Sequence, residues 1–189
     1  MTATRTPEPQ TSTIRKEDLQ PFCYHAIPEE EPFCLRPHLT RPMRMTDGEG
    51  NPWTCASDGR VIAFAPGHLR WVDREAGELL GDVRGYLSMA VGTLTDQTTV
   101  AHATPDLPPA EYKVWEAGID ETDETVEVTK TIPFLGQKVS GSYLRKIERC
   151  AGPVLWWIGP AMENQIRERY LIWRGEHLFG VLCPLRSVS

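Results

Sequence analysis

Two Cys–His pairs are the first places to look for chemistry. Cys23-x-His25 and Cys34-x3-His38 together offer two thiolates and two imidazoles, a donor set that suits tetrahedral zinc. C-x-H brings both side chains together only on an irregular turn, the spacing is not that of a zinc knuckle, and Pro28, Pro32 and Pro37 interrupt the stretch. Partly buried cysteines and surface histidines account for the same residues, so no metal and no other cofactor is expected. The cysteines are Cys23, Cys34, Cys55, Cys150 and Cys183, an odd number without a C-x-x-C. That pattern argues against a secreted disulfide framework and for reduced thiols in a cytoplasmic protein.

Carboxylates gather in one place. Glu116, Asp120, Glu121, Asp123, Glu124 and Glu127 lie within residues 116–127. The order is not the D-x-D-x-D-G of a calcium loop, and the flanks, Tyr112-Lys113-Val114-Trp115 and Thr125-Val126-Glu127-Val128-Thr129, alternate like strands rather than helices. A solvated hairpin tip is expected. As a partner-binding surface, Glu116, Asp120, Glu121, Asp123 and Glu124 could mimic phosphates and occupy a basic surface on another protein. Asp58 could act as a catalytic carboxylate, but an Asp before Gly is more economically a turn residue that bonds its own backbone. The chain has no G-x-S-x-G, P-loop, G-x-G-x-x-G or H-E-x-x-H, and no enzymatic activity is expected.

Cations gather elsewhere. Residues 1–127 hold 11 Lys and Arg against 22 Asp and Glu, net −11, while residues 128–189 hold 9 against 4, net +5. Such a split gives a molecule two electrostatic faces. Arg145, Lys146 and Arg149 form the basic face of a predicted helix, tempered by Glu148, and Arg167 and Arg169 share one face of a predicted strand. These five are the candidates for contact with a nucleic-acid backbone, a modest and salt-sensitive contribution; a solvated helix face explains them equally. Trp156, Trp157 and Trp173 could stack on bases, but they sit among Leu155, Ile158, Leu171 and Ile172 and read as core, with Trp156 and Trp157 on opposite sheet faces.

The elements that must position these residues follow from period and punctuation. The 189 residues, 40% hydrophobic and 24% charged, are enough for one domain with a real core. Residues 1–13 read as a polar, flexible arm without a signal-peptide apolar stretch, and residues 14–189 as a single domain. No apolar run is long enough to cross a membrane. Trp53-Thr54-Cys55-Ala56 and Arg60-Val61-Ile62-Ala63-Phe64-Ala65, joined by Ser57-Asp58-Gly59, form a β-hairpin. Apolar residues recur at helical steps through residues 74–95, although Gly77, Gly81, Gly85 and Gly92 weaken that helix. Residues 140–150 form the clearest helix, capped by Ser140 or Ser142, with Tyr143, Leu144, Ile147 and Cys150 as its apolar stripe. Three strands follow, over residues 154–158, 166–173 and 177–182.

Two stretches together resemble a known family. The hairpin Ala56-Ser57-Asp58-Gly59-Arg60-Val61-Ile62-Ala63 and the tail, which opens a helix with Ser140-Gly141-Ser142-Tyr143-Leu144 and ends Val181-Leu182-Cys183-Pro184-Leu185-Arg186, are similar in order and spacing to the bacterial sliding clamps, the β subunit of the replicative polymerase, and to short phage proteins of the same pattern. The resemblance covers residues 53–65 and 134–186. It implies an α+β, clamp-like domain of mostly antiparallel strands with one or two packed helices. It also implies a non-catalytic, DNA-associated or docking role in which the basic helix faces duplex DNA. A full clamp chain holds three such domains and this one has room for one, so a ring would need many copies and a homo-oligomer is one expectation. Ser57 stands where the family has Thr, and Arg60 follows Gly59 directly. The alternative is a protein of a phage or mobile element that inhibits a host nucleic-acid-processing factor, in the manner of anti-CRISPR proteins, through its acidic surface.

Overall fold

The computed structural model describes residues 14–24, 39–114, 125–128, 130–162 and 168–185. The chain is α+β. Strands β1 (Met43–Thr46), β2 (Pro52–Ser57) and β3 (Val61–Pro66) are followed by helix α2 (Leu80–Thr95) and a two-residue strand β4 (His102–Ala103). Two separate hairpins come next, β5 (Glu111–Val114) with β6 (Thr125–Val128), and β7 (Thr131–Phe134) with β8 (Gln137–Ser140). Helix α3 (Gly141–Ala151) leads into β9 (Leu155–Ala161), β10 (Arg169–Arg174) and β11 (Phe179–Leu182). A short helix α1 (Lys16–Leu19) precedes them all.

The main sheet has seven strands in the order β1-β2-β3-β11-β10-β9-β4, each neighbouring pair antiparallel. The predicted hairpin and the predicted terminal strands therefore belong to one sheet, joined where Val61, Ile62, Ala63 and Phe64 of β3 pair with Leu182, Val181, Gly180 and Phe179 of β11. Helices cover both faces. β3 is buried at five consecutive residues, and the strand period divides them. Val61, Ala63 and Ala65 face a core shared with Leu144 and Ile147 of α3, Leu19 and Phe22. Ile62 and Phe64 face a second core shared with Val83, Leu87 and Ala90 of α2. Trp156 and Trp173 are fully buried in the first core, Trp173 stacked on Phe22 with centroids 5.6 Å apart, while half-buried Trp157 packs on the second. Core packing thus accounts for Trp156 and Trp173, and the two neighbouring tryptophans point to opposite faces as expected.

Two local expectations are corrected. The helical period over residues 74–95 is helix only from Leu80, after a 3-10 turn at Gly77–Leu79. Gly77 has φ +53°, which interrupts a helix, and residues 74–76 instead run along β1, with the Arg44 N–H donating to the Arg74 carbonyl (2.6 Å) and the Ala76 N–H to the Arg44 carbonyl (2.9 Å). Ser140 occupies the N-cap position of α3, but its side chain makes no capping bond; Ser140 Oγ lies 2.7 Å from Ser142 Oγ instead, and the Gly141 N–H donates to the Lys130 carbonyl.

α2 carries three exposed glycines, Gly81, Gly85 and Gly92, whose added Cβ would meet nothing within 4 Å. They have negative φ and no packing role, so each costs only backbone entropy. Gly85→Ala is expected to stabilise the protein by about 0.5–1 kcal/mol. A chemical-denaturation midpoint unchanged or lowered in that variant would show that this helix interior is not what the backbone indicates.

Candidate functional site

The site is built from the tip of the β2–β3 hairpin. Gly59 takes φ +89°, the conformation that Asp-Gly predicts for a tight turn. Asp58 Oδ1 accepts from the Arg60 N–H (2.9 Å) and the Val61 N–H (3.0 Å), and Ser57 Oγ accepts from the Gly59 N–H (3.0 Å) while donating to the Val61 carbonyl (2.9 Å). These bonds are the ones that the turn reading of Asp58 requires, and they fix the path of Arg60.

The other carboxylate oxygen of Asp58 faces α3. Lys146 Nζ lies 3.5 Å from Asp58 Oδ2, with the two side chains 23% and 10% exposed. Tyr143, one turn earlier on α3, donates its hydroxyl to Asp58, and Lys146 sits over its ring, 4.9 Å from the centroid. Burial, then the Asp58 charge and hydrogen bond, push the Tyr143 phenol well above its ordinary value, while Arg60 opposes the shift. Nearby Cys23 is buried, and its thiol is pushed up to about 12, first by burial and then by the Asp58 charge. Cys55, buried in the second core, is likewise raised to about 12 by burial. Burial thus disfavours the thiolate at both.

On the opposite side of the hairpin tip lies a cleft of about 180 Å³. Its apolar walls include Leu39, Val61, Leu79 and Val83; Arg60, Asp82 and Tyr86 supply the polar groups, and Cys183 closes one side. The Tyr86 phenol is raised above its ordinary value by burial and by a hydrogen bond with Tyr170, so it stays neutral. The cleft therefore offers apolar wall, one cation and one carboxylate.

The structure distributes the predicted residues unevenly. Lys146 belongs to the Asp58 pair rather than to an open basic face. Arg145 is half-buried and its Nη1 donates to the Pro108 carbonyl (3.1 Å). Arg149 is exposed in the last turn of α3. The Arg169 Nε donates to the Gly159 carbonyl (2.8 Å), across the irregularity where β9 and β10 shift register. Arg167, the acidic set Glu116, Asp120, Glu121, Asp123 and Glu124, and His25, Cys34 and His38 of the zinc candidate lie outside the described residues. Among the described residues no three His, Cys, Asp or Glu side chains gather as a metal site would require, and no helix is long and apolar enough to cross a membrane.

No family model matches the chain, and no curated protein or solved structure matches it. The resemblance to sliding clamps rests on the hairpin and tail residues themselves. What sequence reasoning missed is the cleft between them: Ser57, Gly59, Arg60, Val61 and Ile62 of the hairpin and Cys183 of the tail line it. Tyr143 was legible only as apolar stripe; its spacing of three from Lys146 was the available signal that both reach one partner.

Proposed function

We propose that this protein is a non-catalytic docking module of the clamp-like kind, whose cleft beside the β2–β3 hairpin receives an apolar segment of a partner protein. One observation carries the reading: both stretches that resemble clamps, the hairpin and, from the tail, Cys183, line the same cleft. An apolar depression with a few placed polar groups is the general form of a site that takes anchoring side chains. Arg60, whose backbone N–H bonds to Asp58, and Asp82 supply opposite charges that would orient a peptide across it. The volume suits one or two side chains rather than a whole metabolite, which favours a segment of a larger partner.

The test uses an acetylated, amidated pentapeptide carrying two Leu and one Phe, titrated into the labelled protein and followed by amide chemical shifts. Shifts centred on Val61, Ile62 and Val83 are expected, with affinity falling at least about tenfold in half-buried Leu79→Gln, which puts an amide into the apolar wall. Shifts scattered over the surface, or equal binding by the variant, would remove the cleft from consideration.

A second reading, contact of α3 with duplex DNA, rests on Arg145 and Arg149, four residues apart on that helix. Two cations give a shallow salt dependence, with a log–log slope of about −2. Retention on duplex DNA that survives moderate salt, or a much steeper slope, would call for other contacts.

A further inference from the structure

The largest cavity among those described lies at the far end of the main sheet from the hairpin tip, about 470 Å³ in volume. Four adjacent strands end there. Trp53 of β2, Pro66 closing β3, Phe179 of β11 and Arg174 of β10 line it from the sheet side, and Val91 and Leu94 of α2 form the opposite wall. Its floor is rigid and aromatic. Trp53 and Phe179 meet edge to face with centroids 5.6 Å apart, and the Trp53 Nε1–H donates to Asp47 Oδ2 (3.1 Å), which fixes the indole. At the mouth Val91 keeps 38% of its surface exposed, apolar area that this fold leaves uncovered.

The rim carries one guanidinium, Arg174, and one carboxylate, Glu176. Glu176 is already 3.3 Å from His177. Among the described residues no carboxylate lies within ion-pair distance of Arg174, an exposed side chain at the end of β10. Arg174 could be explained as a counter-charge to the C-terminus of α2. Two carbonyls of that last turn are already bonded locally, however: Gly92 O accepts from the Asp96 N–H (3.1 Å) and Thr93 O from Thr99 Oγ1 (3.1 Å). The guanidinium is thus left to solvent or to a ligand. A cation entering the cavity would meet Arg174, and a purely apolar molecule would leave its charge unused.

We infer that this cavity binds a small amphipathic carboxylate, its aryl or branched alkyl body on Trp53, Phe179 and Leu94 and its carboxylate on Arg174. The site is separate from the docking cleft, and the inference does not depend on that cleft being used. A volume of this size suits a small organic acid. Planar guanidinium is the side chain best matched to a carboxylate, since it donates two parallel hydrogen bonds.

The probes are 3-phenylpropanoate and its uncharged amide, followed by saturation-transfer and amide-shift NMR on the full chain. The carboxylate is expected to bind with Kd on the order of 1 mM or tighter, the amide about tenfold more weakly. Arg174→Gln should abolish that preference; Arg174 is exposed, so the variant is expected to fold, and unchanged far-UV circular dichroism checks it. Arg60→Gln, in the other cleft, should leave the preference intact. Equal binding of acid and amide, retention of the preference in Arg174→Gln, loss of it in Arg60→Gln, or no binding of the acid at saturation overturns the assignment.

Discussion

Gly180→Ala is expected to destabilise the fold severely. Gly180 sits in β11, paired with Ala63 of β3 on one side and Trp173 of β10 on the other. A methyl group there would collide with the Ile62 carbonyl oxygen and come within 2.7 Å of the Trp173 ring. Neither neighbour can yield. The carbonyl belongs to a central strand held on both edges, and the ring is fully buried and stacked on Phe22. Overpacking a core ordinarily costs 1–3 kcal/mol, but a clash with fixed backbone at the join of two sheet halves should cost about 4 kcal/mol or more. That consumes much of the 5–15 kcal/mol that typically separates folded from unfolded chains. Soluble expression followed by urea denaturation measures it. A variant within about 1 kcal/mol of the parent would mean that β3 and β11 are not packed as described.

Local chemistry was legible in the sequence where a residue type forces a backbone. Asp58-Gly59 specified the hairpin because Gly accepts φ +89° and Asp bonds the following N–H groups. The stripe Leu144, Ile147 specified the buried side of α3, whose two residues are fully buried. Trp156 and Trp157 specified a strand whose neighbouring side chains point to opposite faces, Trp156 fully buried and Trp157 half-buried. β11 begins at Phe179, two residues after the predicted start, because Gly175 and Leu178 close the preceding turn through a backbone bond of 2.9 Å. What was not legible depends on partners distant in the chain. Lys146 looked like part of a basic face because its carboxylate is 88 residues away, and nothing in a helical period announces that. The cleft was invisible for the same reason: Leu39, Leu79, Val83 and Cys183 are ordinary apolar residues until the sheet joins the hairpin to the tail. The sequence resemblance named both stretches, but only the sheet order shows that they touch.

Asp58→Ala is expected to cost about 2–4 kcal/mol, because one side chain serves both the turn and the helix. Alanine removes the acceptor of the Arg60 and Val61 N–H groups, and it leaves Lys146, only 23% exposed, without its carboxylate. Asp58→Asn separates the two roles. Its amide oxygen can still accept the turn bonds, so the loss should be limited to what the other oxygen does for α3, the ion pair with Lys146 and the hydrogen bond from Tyr143, about 1–2 kcal/mol at this partial exposure. Lys146→Met removes the charge from the other end while keeping an apolar stem over Tyr143. If the pair acts as described, Asp58→Asn and Lys146→Met are non-additive in urea denaturation, with a coupling of about 1 kcal/mol. Additive losses would mean that the 3.5 Å contact carries no energy of its own. Peptide affinity at the cleft should follow the turn rather than the charge. Alanine frees Arg60 and the cleft wall from the bonds that hold them, whereas asparagine retains those bonds, so Asp58→Ala weakens docking more than Asp58→Asn does. Equal weakening by both would place the effect in electrostatics reaching across the hairpin and not in the geometry of its tip.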